Sequence, residues 1–236
     1  MEKWKTGSRY RATKEKMNYI YKKKFFGSSP YHSRFEEEVL WNIIDMLEPY
    51  MNDDNCVEPD IVFETIVFNY PKNLSSEEFK PENFWRKFDR LYRKNCRQLV
   101  GRNYNRNCNR KRLPRGYVFL DFPYSKKSKK TSMTRKSCRG SFHFGVINRP
   151  HSHAIYIVPP SQKERTQKWI SRKVINEQVK EFSEFLSIPV EDIDRQKIPI
   201  DENIFHVLRY SAALLKQYTP HLEKKDLWNV LPTFPQ

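Results

Sequence analysis

The sequence predicts an α+β fold built on an antiparallel β-sheet. Two patterns carry that expectation. Apolar residues recur at helical spacing towards both ends of the chain, and three short aromatic or β-branched runs lie between them, bounded by Gly, Asn or Pro. Strands grouped between helices, rather than alternating with them, favour antiparallel pairing over parallel βαβ units.

The elements follow in order. RFEEEVLWNIIDMLEPYM (34–51) places Val39, Ile43, Met46 and Leu47 at helical spacing, with acids in its first turn. ENFWRKFDRLYRKNCRQLVG (82–101) shares Phe84, Phe88, Leu91 and Tyr92 on one face, carries a basic opposite face and stops at Gly101. GYVFLDFP (116–123), GSFHFGVI (140–147) and HSHAIYIV (151–158) read as strands. NRP (148–150) is expected to join the last two as a tight hairpin. Helices are expected at 167–186 and 200–218, the latter capped by Asp201. Three parts result: a flexible basic segment at 1–33, a helical part at 34–110 whose Trp41, Trp85 and Phe88 read as core, and a core of strands with C-terminal helices at 111–236.

Charge narrows the class. The chain of 236 residues has 44 Lys and Arg against 28 Asp and Glu, a formal charge of +16, with 14% aromatic residues. Residues 105–139 hold twelve Lys or Arg and one acid, and residues 1–35 hold ten against two. Strong positive charge with many rings points to nucleic acid. No apolar run reaches the ~18 residues of a membrane span, and the basic N-terminus lacks the apolar stretch of a secretory signal. A cytoplasmic or nuclear setting is expected. Cys56, Cys96, Cys108 and Cys138 are scattered, which predicts free thiols and no structural zinc.

PHSHAIYIV supplies the first chemistry. Side chains alternate along a strand, so His151 and His153 point the same way. Two imidazoles about 7 Å apart along one face can share a divalent cation. If NRP is a three-residue loop, Gly145 opposes His153 and His143 lies diagonal to it on the same face; a two-residue loop would turn His143 away. In the C-terminal helix, Ile204, Val207, Leu208 and Leu215 form an apolar stripe. Tyr210 lies on a different stripe with Asn203, His206 and Gln217, either presented to a site or standing at the edge of the core.

Taken together, these segments resemble the HUH endonucleases, and among them the rolling-circle replication initiators, over about residues 115–218. FLDFP (119–123) resembles the first initiator motif, PHSHAIYIV the second and VLRY (207–210) the start of the third. The resemblance implies a metal, Mg²⁺ or Mn²⁺, held by His151, His153 and His143, the last standing where geminivirus-type initiators place a glutamate. It implies that Tyr210 attacks the scissile phosphate of single-stranded DNA and forms a 5′-phosphotyrosine. The third motif usually continues to a lysine three residues on. That position is Ala213 here; Lys216, six residues beyond Tyr210, is the candidate catalytic lysine in its place, and Tyr218 stands as an alternative nucleophile.

Arg110, Lys111, Arg112, Arg115, Lys126, Lys127, Lys129, Lys130, Arg135, Lys136 and Arg139 are expected to grip DNA beside the nick. No phosphate-binding loop of the G-x-x-x-x-G-K-[ST] type occurs, so a host helicase and polymerase are expected partners at a replication origin. A relaxase or single-tyrosine transposase would share the site. A module that binds nucleic acid without cutting it, or a protein whose histidines are structural, would share only the pattern.

Overall fold

The computed structural model describes residues 8–24, 34–51, 57–69, 81–121, 151–186, 190–212 and 228–232. The expected strand at 140–147 lies outside them, as do His143, Lys126, Lys127, Lys129, Lys130, Arg135, Lys136, Arg139, Ala213, Lys216 and Tyr218.

The protein is α+β. Among the described residues a five-stranded antiparallel sheet, β1 (Asp60–Phe68), β2 (Arg115–Asp121), β3 (His151–Val158), β4 (Val190–Ile198) and β5 (Trp228–Leu231), runs in the order β4-β1-β3-β2-β5. Seven helices pack with it: α1 (Ser8–Lys24), α2 (Arg34–Asp45), α3 (Glu48–Met51), α4 (Pro81–Val100), α5 (Lys163–Trp169), α6 (Arg172–Leu186) and α7 (Glu202–Ala212). None of the described helices is long and apolar enough to cross a membrane.

Several expected elements form where the pattern puts them. β3 spans the run that carries the two histidines. α4 ends at Gly101, which adopts φ +109 and donates its N–H to the Arg97 carbonyl, a left-handed helix stop that suits glycine. Asp201 caps α7, its Oδ1 accepting the Asn203 N–H at 2.8 Å. The helix expected at 34–51 divides into α2 and α3, and that at 167–186 into α5 and α6.

The N-terminal third departs from expectation. Within the segment expected to be a flexible extension, Ser8–Lys24 is helical and buries Met17 and Tyr21, with Tyr21 stacked on Phe205 of α7. Within the part expected to be helical, β1 takes a place inside the sheet between β3 and β4.

The hairpin register is also corrected. Over His151–Ile157 one edge of β3 pairs with β1 and the other with β2. A strand has two hydrogen-bonding edges, so no edge remains for a neighbour at 140–147. His143 itself lies outside the described residues. Gly116 explains how tightly β2 lies on β3: at φ +154, an added Cβ would stand 1.7 Å from the Ile155 carbonyl oxygen.

Alternation sorts the two faces. One face presents Phe63, Thr65, Phe119, His151 and His153 beneath α7. The other presents Glu64, Tyr156 and Arg195 to α4, α5 and α6, shown by Tyr92 of α4 stacked on Tyr156 and by Tyr156 edge-on to Trp169. Glu64 and Arg195 are register partners with side chains fully buried, paired at 2.5 Å. Arg195 also donates to Gln178, to the Trp169 carbonyl and to Asn95, while Tyr156 donates to the second Glu64 oxygen at 2.8 Å. A buried charge pair is costly unless its remaining valences are satisfied, and here they are.

Candidate active site

β3 is the third strand of five, which places its histidines inside the sheet and not at an edge. His151 and His153 share a face as alternation requires, ring centroids 4.7 Å apart and planes at 82°. The cross-strand partner of His153 on β1 is Thr65 and on β2 is Phe119; those of His151 are Val67 and Asp121. α7 crosses above and presents Tyr210, whose ring centroid stands 4.9 Å from that of His153. His151, His153 and Tyr210, the tyrosine 57 residues beyond the nearer histidine (210 − 153), are thus brought into one cluster.

The His153 ring is held on several sides. Phe63 stacks on it at 5.4 Å with planes 16° apart, and Thr65 Oγ1 lies 3.0 Å from Nδ1. Burial, and then the neighbouring His151, hold its pKa well below the ordinary imidazole value, so it is neutral near pH 7. A neutral imidazole carries one N–H. With Nδ1–H donating to the Thr65 hydroxyl, Nε2 is left with a bare lone pair. That Nε2 is buried and has no hydrogen-bond partner among the described residues. An orphaned buried acceptor costs roughly 1–3 kcal/mol, which a ligand would offset.

The donor chemistry fits a metal in part. A metal-bound histidine usually donates its other ring N–H to an outer acceptor, a part the Thr65 hydroxyl can play here. Two imidazoles suit Mn²⁺ better than Mg²⁺, which prefers oxygen. No group of three or more His, Cys, Asp or Glu that could hold an ion occurs among the described residues, so a third donor has to come from elsewhere. Cys96 is no competing nucleophile: burial pushes its thiol up to about 12.

The expected DNA-binding residues separate. Arg110, Lys111 and Arg112 end a 3₁₀ turn (Asn107–Arg112) and are exposed, and Arg115 begins β2 opposite Ile157. Phe119, level with His153, is four residues further on, so Arg115 stands about 13 Å along the strand from that level. These residues do not border the histidines. The segment from 122 to 150, outside the described residues, connects Asp121 to its register partner His151. It carries eight Lys or Arg and no acid.

Thr65 and Phe63 are site residues that sequence reasoning missed. The available signal was DIVFETIVF (60–68), nine residues rich in β-branched and aromatic types. Comparison of the chain with family models, with curated proteins and with solved structures finds no match.

Proposed function

We propose that this chain is a metal-dependent enzyme that nicks and rejoins single-stranded DNA through a 5′-phosphotyrosine on Tyr210, and that it starts rolling-circle replication. The observation that carries this reading is the contact between Tyr210 and His153, whose Nε2 is buried and unpartnered among the described residues. His151 and His153 would hold the ion, with Thr65 fixing the tautomer of His153. When bound, the ion would polarise the scissile phosphate and offset the charge that develops on it.

The chain's own residues supply the rest. The Tyr210 oxygen forms a bond to phosphorus as the bond from phosphorus to the 3′-oxygen breaks. The phenol proton leaves to solvent and the departing 3′-oxygen takes one up. The ester bond is conserved, so the reverse attack rejoins the strand without another energy source. The composition of residues 122–150, eight Lys or Arg and no acid, supports this reading, because a cationic segment attracts phosphates.

A second reading rests on burial. His151 is 2% exposed and His153 0%. A closed pair fits a core feature in a protein that binds nucleic acid without cutting it.

Labelled single-stranded oligonucleotides from the protein's own replicon or flanking DNA, incubated with Mn²⁺ and run on denaturing gels, separate the two. The nicking reading expects a protease-sensitive covalent adduct that is lost in Tyr210→Phe and in His151→Ala. An adduct lost instead in Tyr218→Phe moves the nucleophile. Tight binding with no adduct on any cognate strand supports the binding module.

A further inference from the structure

α4 carries a row of arginines that the candidate active site does not use. Arg86, Arg90, Arg93 and Arg97 recur at intervals of four, three and four, and all four are exposed. At 1.5 Å rise per residue the row is about 16 Å long. Its opposite face is anchored in the core by Phe84, Phe88, Tyr92 and Cys96, so the row has one fixed outward direction.

Beside its C-terminal half lies a groove of about 310 Å³, lined by Arg90, Arg93, Lys94, Arg97, Tyr104 and Phe182 among others. Two of these cations already face acids: Arg93 donates to Asp89 at 2.7 Å, and Lys94 pairs with Glu181. Arg90 and Arg97 have no ion pair among the described residues. Arg90 also helps to lower the pKa of Lys87, after burial, as expected of crowded cations lacking a counter-charge. Tyr104 is half-buried on the groove wall and brings an aromatic ring to the cations.

We propose that this row and groove bind a second stretch of single-stranded DNA, outside the candidate active site. Charge complementarity selects a polyanion. Arginines beside an accessible ring favour a single strand, because a duplex hides the faces of its bases. The identification of that polyanion as DNA rests on the nicking reading. α4 packs on the sheet face opposite α7, so one strand segment does not reach both places at once. The row would hold DNA flanking the segment presented to Tyr210.

Fluorescence anisotropy with labelled dT30 tests this. Arg90→Gln, Arg93→Gln and Arg97→Gln together should weaken binding about tenfold or more at ~0.1 M salt. They should also reduce the salt slope by about two, at ~0.7 for each phosphate that is no longer neutralised. Tyr104→Leu should weaken binding about fivefold or more. A charge-matched triple on α1, Lys16→Gln, Lys22→Gln and Lys23→Gln, should stay within about twofold if local interactions decide and not net charge. Thermal melts check that each variant folds.

Equal weakening by both triples, or by neither, overturns the proposal. Tighter binding of a 30-base-pair duplex with the same arginine dependence overturns its single-strand assignment. The two readings fail separately. Arginine dependence without any covalent adduct leaves the groove standing and removes the nicking; normal adducts with equal weakening do the reverse.

Discussion

The ring of Tyr210 lies against the imidazole of His153, centroids 4.9 Å apart and planes inclined at 65°. The contact joins a helix to a strand through two side chains with chemistry of their own. Tyr210→Phe removes the hydroxyl and keeps the ring. Its stability should stay within about 1 kcal/mol of wild type, as expected where the packing is retained. Covalent adduct should be abolished. Loss of fold in Tyr210→Phe, seen as a collapsed thermal transition, would mark the tyrosine as structural.

Thr65 is a positioning residue for His153. Thr65→Val keeps the shape and removes the hydroxyl, leaving a buried imidazole nitrogen unpaired. The expected cost is roughly 1–3 kcal/mol, measured by urea denaturation. Mn²⁺ affinity, measured by calorimetry, should fall about tenfold or more, the usual cost of removing an outer partner of a metal-binding histidine. Thr65→Ser should restore both.

The depressed pKa of His153 makes stability depend on pH. The folded protein holds this ring neutral, whereas the unfolded chain takes up its proton at the ordinary value of about 6.5. Its contribution is fully present above that value. It is lost as pH falls below it towards the lower folded-state pKa, at up to about 1.4 kcal/mol per pH unit. Denaturation in EDTA at a series of pH values should therefore show a steeper acid loss for wild type than for His153→Gln. Parallel curves would contradict a neutral, desolvated His153.

On the opposite face, Glu64 and Arg195 form the buried ion pair. Glu64→Gln strands a guanidinium in the interior, and a loss of about 3–5 kcal/mol is expected. Arg195→Met strands the carboxylate with a similar cost. The double variant should lose less than the sum of the two, and a double-mutant cycle by urea denaturation measures the difference.

How far the sequence was legible depends on burial. HSHAIYIV was readable because its apolar run is bounded by prolines, and α7 because Asp201 announces it. β1 was not. Its residues Ile61–Ile66 are buried on both faces, so the period-two signal of a half-exposed strand is absent, and Glu64 interrupts the apolar run. The arginine that neutralises Glu64 lies 131 residues away, a pairing no local pattern announces. β4 (VEDIDRQKI) was hidden differently: it ends the described sheet, and its sequence is largely polar although Val190, Ile193, Arg195 and Ile198 are buried. Missing β1 led the hairpin reading to give β3 the wrong neighbour. The histidine pair itself survived that error, because i and i+2 share a face whichever strand lies alongside.

Glu64 and Thr65 are consecutive, yet they serve opposite faces of the sheet. One is clamped to Arg195, and the other holds His153. Sliding or tilting β1 to reshape the histidine cluster would also pull a carboxylate off its guanidinium in the dry interior. The floor of the cluster is therefore stiff. Any opening that admits a phosphate to His153 would have to come from the side of α7, so a crosslink tying α7 to α2 should obstruct entry while leaving the histidines where they are.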